Sequence, residues 1–491
     1  MPQEITRHHL DVGGRRVHYR RTGQGPPVMM LHESPRSSAA LLALMAYGPR
    51  DVTMLAFDTP GNGLSEPLAL AKPDAGDYGD ALAATLDALH VPRAVVYGTH
   101  TGAAIGVALA CRHPQRVARL VLDGIGVFDA AERAQVLDSY LPPFVPTVDG
   151  THLAWLWARV RDQMMFFPWN HRGTGARLWR PLPQPEALHA LAMDMLMAGD
   201  AYRAPYIAAF CAQPAQELQH VTVPTLVAAR QDDVLLPHLA RLPALPPHIR
   251  SEHLSADRAL WGARLWAELR QGAAGLPDAP PTLDSPLPAA RLGDTLAGAA
   301  GRRIHLRGAM GGAGGRPLVW LHPSPGGARG MDGQLQPHVG RRPVIAPDLP
   351  GHGESDDFGG DRHAALLALH ETLRSIGIDE ADICGEGLGG ALAQMLCAAY
   401  PARYLAGSFQ APSQASRTGV PAPPALRSRA DGGHLAAAWL HARDEAILGP
   451  WWSRKPGDRH DFGDALDVDT IHRRCIEYLK EAPSAAALRT A

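Results

Sequence analysis

The sequence predicts an α/β protein made of two tandem units, each a mostly parallel sheet with helices on both faces and a helical cap, the second unit truncated. Three observations predict it. Four motifs recur in the same order at a separation of 287 to 290 residues. Short apolar runs alternate with stretches of helical pattern, which implies βαβ units. A segment dense in Pro, Gly and Ala lies between the two copies. The length of 491 residues agrees with two units, since a single hydrophobic core rarely holds that much chain.

The repeat sets the order of the elements. "GRRVHYR" at residues 14–20 returns as "GRRIHLR" at 301–307, and "LHESP" at 31–35 as "LHPSP" at 321–325. "DTPGNGLS" at 58–65 returns as "DLPGHGES" at 348–355, and "GTHTG" at 98–102 as "GEGLG" at 385–389. In the first copy, strands are expected near 28–31, 54–57, 94–97, 120–122, 225–229 and 250–254, with helices over 78–89 and 103–112 between them. Buried on both faces, strands of a parallel sheet read as continuous apolar runs, as these do. In the Asp58 turn, Asp58 and Ser65 are turn-forming residues, with Gly61 and Gly63 supplying unusual backbone angles.

A shared segment follows residue 126. Asp149, His152, Arg161, Asp162, Pro168 and Trp169 match Asp431, His434, Arg443, Asp444, Pro450 and Trp451 without a gap, and His189 matches His472 with one residue of slippage. The expected organisation is a first domain over 1–271 with a cap over about 127–215, a linker over 272–293, and a second domain over 294–491 with a cap-like segment over about 413–491.

These residues resemble the α/β-hydrolase fold superfamily. The marks are the "LH" turn after an early strand, the D-x-P-G-x-G-x-S turn, a strand–turn–helix of G-x-S-x-G shape at 98–102, and "TVPTLVAARQDDVLLP" at 221–236, which places Asp233 at the acid position. The resemblance implies a serine at the elbow, a histidine after the last strand and an oxyanion hole of two backbone amides. This chain departs from that pattern. The elbow holds His100, and Asp257 or Arg258 stands about where the histidine belongs, with His253 inside the preceding strand. The second copy presents Gly387 at its elbow and has no counterpart of the acid-bearing and final strands, so it is expected to be catalytically silent.

Two readings of the first copy follow. In one, it is an enzyme, a hydrolase or related lyase or hydratase, acting on a small apolar carbonyl compound. His100, kept neutral by the positive end of the following helix, would be general base or nucleophile, and Asp233 would orient it. By the resemblance, the amides of Glu33 and Thr101 would hold the developing oxyanion, and His32, Ser34, His152, Arg161, Trp169 and His189 would line the pocket. The apolar run "MMFFPW" at 164–169 favours a hydrophobic substrate. In the other reading, the copy is an inactive pseudo-hydrolase that binds a ligand or serves as a scaffold. His253 completing a shifted triad with Asp233 and Asp123 serving as an alternative acid are lesser variants.

Composition narrows the partners. A formal net charge of −2, with charges mixed along the chain, leaves no electrostatic footprint for nucleic acid or an anionic membrane. Five scattered cysteines give neither a disulfide framework nor zinc spacing, and convergence of His32, His100, His152 and His189 is the one arrangement that would hold a metal. No cofactor is expected. The polar N-terminus lacks a signal core and a cytoplasmic location is expected. The open sheet edge of the second copy calls for packing of the two copies on each other or for a homo-oligomer.

Overall fold

The computed structural model describes residues 3–282, 284–298, 302–312, 314–410, 424–461 and 466–490. The chain divides into two compact units. The first comprises Met1–Val145, Ala158–Pro183 and Ala187–Leu283, and the second Pro146–Trp157, Gln184–Glu186 and Asp284–Ala491. The division at 283 falls inside the expected linker, while Pro146–Trp157, expected in the first domain, groups with the second. Residues 413–423 and 462–465 of the expected cap-like segment, and Gly301 of the repeat, lie outside the described residues.

In the first unit an antiparallel hairpin comes first, β1 (Thr6–Val12) and β2 (Arg15–Thr22), joined through Gly13 and Gly14 at positive φ. Then follow β3 (Pro27–Leu31), β4 (Thr53–Phe57), β5 (Ala94–Thr99), β6 (Val117–Asp123), β7 (Thr225–Arg230) and β8 (Ile249–Leu254), in the order β1-β2-β4-β3-β5-β6-β7-β8 and parallel from β4 onward. Alternate residues of each strand face opposite cores. Met29 and Leu31 of β3 join a cluster with Leu82, Leu86, Ile105 and Leu109 from helices Ala75–Ala88 and Thr101–Arg112. Val28 and Met30 join the other, with Leu265, Trp266 and Leu269 from helix Arg258–Ala273. Both faces are covered, which is why the central strands read as unbroken apolar runs.

The second unit repeats this in six strands. β9 (Gly293–Ala297), β10 (Ile304–Ala309), β11 (Leu318–Leu321), β12 (Val344–Pro347), β13 (Ala381–Glu386) and β14 (Tyr404–Gln410) lie in the order β14-β13-β11-β12-β10-β9. Among the described residues, that is the arrangement of β1 to β6, with no counterpart of β7 or β8. β14 is therefore an edge, and its Leu405 is half exposed.

A buried histidine–aspartate pair ties the early hairpin to the glycine-rich turn in each unit. His18 Nδ1 lies 2.8 Å from Asp58, whose carboxylate also accepts from the Ser38 and Leu64 amides. His305 Nδ1 lies 2.8 Å from Asp348, which accepts from the Ala328 and Glu354 amides, the latter at 2.8 Å. His305 has a second carboxylate, Asp294, on its other ring nitrogen at 3.0 Å. Burial opposes its charge, but the two carboxylates prevail and lift it to about 9. Burial prevails at His18, whose single carboxylate does not compensate, and its pKa falls below the ordinary value.

Within the second unit, residues 146–157 meet the helix Gly433–Ile447 by reciprocal contacts. Trp157 Nε1 donates to the Ala430 carbonyl (3.1 Å) and Trp439 Nε1 to the Val148 carbonyl (3.3 Å). Gly150 and Gly432 both have positive φ, and a Cβ on either would lie 2.5 Å from the opposing indole. His152 packs edge-on against Trp439 and His472. Burial, reinforced by the His472 charge, pushes His152 down to about 4, and burial does the same to His472. Between about pH 6.5 and 4 the unfolded rings bind protons that the folded ones refuse, so stability falls as pH drops through that window. Urea unfolding followed by tryptophan fluorescence should show this fall, and His472→Leu should reduce it.

Candidate active site

The elbow is built by contact distances that exclude side chains. A Cβ on Gly98 would lie 2.3 Å from the Gly102 carbonyl oxygen, and one on Gly102 would lie 2.4 Å from that of Leu31. Between them His100 takes φ 48°, ψ −107°, a conformation that non-glycine residues rarely hold, at a strain of roughly 1–3 kcal/mol. Its N–H donates to the Asp123 and Gly124 carbonyls (3.3 and 3.1 Å), and its carbonyl accepts from Ala103 and Ala104 at the start of the elbow helix.

The ring lines the mouth of a cavity of about 1270 Å³ belonging to the first unit, with the side chain 31% exposed. Nε2 lies 2.9 Å from Asp233 Oδ2, and Asp233 Oδ1 accepts the Leu235 amide at 2.7 Å. In the neutral ring Nε2–H therefore donates to the carboxylate, and Nδ1 is the nitrogen that does not touch Asp233. Gly124, φ +77°, closes against the pair, since a Cβ there would meet the ring at 2.7 Å and Asp233 at 3.2 Å. Burial works against the imidazolium, but the Asp233 carboxylate outweighs it and the pKa of His100 stands above its ordinary value. The shift runs opposite to the one expected from the helix end, because the carboxylate in hydrogen-bond contact favours the charged ring. For Asp233, burial works against ionisation but His100 outweighs it, so the carboxyl stays ionised below its ordinary pKa.

A second carboxylate faces the same space. Asp123, at the end of β6, lines the cavity and accepts from Tyr97 Oη (3.0 Å) and Trp261 Nε1 (2.9 Å). Burial, reinforced by Asp233, raises its pKa despite both donors.

Of the other residues expected at the site, Glu33 and Ser34 line the cavity. Thr101 is buried behind it, and its hydroxyl accepts the Ser34 amide at 3.3 Å. His32 is fully buried in a turn, where Nδ1–H donates to the Glu33 carbonyl (2.8 Å) and Nε2 accepts the Thr59 amide (2.9 Å). Its place in the pocket is corrected, because both nitrogens hold backbone. Trp169 packs under the Arg159 guanidinium, 4.1 Å from its ring centroid, and donates to the Tyr140 carbonyl. Arg161 and His189 are absent from the cavity lining, and His152 belongs to the second unit. Among the described residues no group of three or more histidine, cysteine, aspartate or glutamate side chains could hold a metal ion. His253 is exposed on β8, and Asp257 caps the helix Arg258–Ala273 through the Ala259 and Leu260 amides, so neither reaches the cavity wall.

The lining missed by sequence reasoning is its arginines: Arg36, Arg180, Arg230, Arg258 and Arg270 all border the cavity beside Phe167, Trp261 and Trp266. Arg258 had a legible signal, standing where the resemblance expects the histidine. The lining therefore carries charges of both signs, these arginines together with Glu33, Asp123, Asp232 and Asp233, where the sequence predicts an apolar pocket.

Residues 26–255 match the family model described as alpha/beta hydrolase fold. A cis-3-alkyl-4-alkyloxetan-2-one decarboxylase of Shewanella oneidensis is 35% identical over 130 residues, 25% of this chain and 39% of that protein. A 2-hydroxymuconate semialdehyde hydrolase of Pseudomonas sp. (strain CF600) is 35% identical over 136 residues, 27% of this chain and 48% of that protein. The chain thus spans less than half the length of these curated relatives. A crystal structure of a membrane phospholipase A described as a bacterial virulence factor aligns with 55% of this chain and 87% of its own at 19% identity and TM-score 0.43.

Asp233→Asn should lower the His100 pKa, because burial remains and the largest compensating charge is gone. Gly124→Ala should move it the same way by forcing ring and carboxylate apart. Histidine-selective NMR titration of the full chain reads both.

Proposed function

We propose, on the premise that residues 26–255 belong to the α/β-hydrolase-fold family, that the first unit is an enzyme acting on a small carbonyl compound with His100 as its general base. The observation that carries this reading is the His100–Asp233 hydrogen bond of 2.9 Å at the mouth of the large cavity. Nε2–H is committed to the carboxylate, so Nδ1 receives the proton, and Asp233 raises its basicity while fixing the tautomer.

In the hydrolytic form of the reaction, Nδ1 takes a proton from water as the water oxygen bonds to the carbonyl carbon. The electron pair moves to the carbonyl oxygen. Collapse of the tetrahedral adduct breaks the bond to the leaving group, which takes the proton back from the imidazolium. By family analogy the amides of Glu33 and Thr101 would hold the oxyanion; Thr101 opens the elbow helix, whose first N–H groups have no intrahelical acceptor. The same base can take a proton from carbon, which is the lyase form. The relatives' names, an oxetan-2-one decarboxylase and a semialdehyde hydrolase, both involve carbonyl compounds and support the substrate class.

The second unit is non-catalytic in this proposal, with Gly387 at its elbow and no strand to carry an acid among its described residues. One observation favours the rival reading of an inactive ligand-binding protein. The apex of the elbow is His100 rather than a residue with a hydroxyl, and no histidine besides His100 lines the cavity, so the family's triad is absent among the described residues.

Hydrolysis of p-nitrophenyl acetate by the full chain separates the two. For the enzyme, His100→Ala should lower the rate by roughly 10²- to 10⁴-fold. Because the base must be unprotonated and its pKa is raised, the wild-type rate should climb with pH through a midpoint above 6.5. Asp233→Asn should move that midpoint down. A rate indifferent to His100→Ala leaves the ligand-binding reading standing.

A further inference from the structure

Of the five guanidiniums around the His100 cavity, three have carboxylate partners. Arg36 Nε lies 2.8 Å from Asp194, Arg230 Nε lies 2.9 Å from Asp232, and Arg270 pairs with Asp51. Arg180 and Arg258 have none within ion-pair distance among the described residues. Arg180 donates through Nε to the Met164 carbonyl (3.3 Å), which leaves its terminal nitrogens unused by that bond. Arg258 lies 5.7 Å from the Trp261 ring centroid, and Arg230 lies 5.2 Å from the same ring. Arg180 and Arg258 both line the cavity and both keep contact with solvent, Arg180 only in part.

These cations act on one another. Burial and the charges of Arg230 and Arg258 depress the Arg180 pKa, against the pull of Asp232 and Asp233. Those two acids are already engaged, one by Arg230 and the other by His100. Like charges held together without partners of their own make an arrangement that an incoming anion relieves. The guanidinium fork matches a planar carboxylate through two parallel hydrogen bonds.

We infer that Arg180 and Arg258 form a carboxylate subsite at the mouth of the His100 cavity, so that the substrate is a carbonyl compound carrying a carboxylate. The inference rests on the proposed reading of that cavity as the substrate site. The cavity accommodates such a molecule in two parts, a cationic rim for the carboxylate and a wall of Phe167, Leu178, Val234 and Trp261 for an apolar body.

Calorimetric titration of the full chain with 4-phenylbutanoate and with its uncharged analogue 4-phenylbutanamide tests the subsite. The acid is expected to bind roughly tenfold more tightly than the amide, the increment of one charge-assisted hydrogen-bonded contact. Arg180→Gln with Arg258→Gln should equalise the two ligands. Arg258→Lys alone, which keeps the charge, should retain a preference for the acid. Equal affinity in the wild type, no binding of the acid, or a preference that survives the double substitution overturns the inference. His100→Ala separates this from the catalytic proposal: the preference for the acid should persist in that variant, whereas p-nitrophenyl acetate turnover should not. Persistence of both sinks the catalytic role and leaves the subsite.

Discussion

The approach of the elbow helix to β3 and β5 is the constraint on which the site depends. With only 2.3 to 2.4 Å between a hypothetical Cβ at Gly98 or Gly102 and a facing carbonyl oxygen, the helix can seat itself only because both positions are bare. Seating pulls the intervening residue into a backbone conformation that lifts its side chain to the sheet's end, and from there His100 meets the acid that β7 delivers from 133 residues away. Gly124 continues the same logic from β6, leaving space that the ring and carboxylate fill together. The site is thus a product of omitted atoms at three glycines on two connections.

The two units show what substitution does inside one architecture. His32 and His322 hold the same pair of backbone contacts, each bridging the early turn to the glycine-rich turn. Asn62 in the first unit corresponds to His352 in the second, where Nε2 lies 2.8 Å from Ser324 Oγ and Nδ1 lies 3.1 Å from the Pro350 carbonyl. A single change of residue type knits together two turns that, in the first unit, leave Ser34 Oγ and both Asn62 side-chain polar atoms buried without a partner. The second unit has spent its polar groups on itself, while the first keeps them around a cavity.

Much of this was legible in the sequence, for physical reasons. The central strands are buried on both faces, so their apolar runs stand out, and the turns demand glycine at fixed offsets, so the repeat survives in those residues. The opening of the fold was harder to read: β1 and β2 form a hairpin rich in Arg and His, whose polar composition hides its pairing. At the site, His100 and Asp233 could be found because each sits at a motif-defined end of a strand. His32 was misplaced because a backbone-bridging histidine and a pocket histidine look alike until the partners are known. The arginine rim had no local pattern at all. Arg180 precedes the helix Pro185–Ala198 and Arg258 begins the helix Arg258–Ala273, and only the folded chain brings them to one cavity.

Gly387 occupies the same region of backbone space as His100, φ 55°, ψ −122°, but without the steric penalty a Cβ would bring. The second unit's turn is therefore relaxed at the position where the first unit's is strained. Any side chain placed there would begin with a deficit of roughly 1–3 kcal/mol before it could contribute chemistry. Selection for a stable fold alone is thus enough to favour a bare turn in that unit.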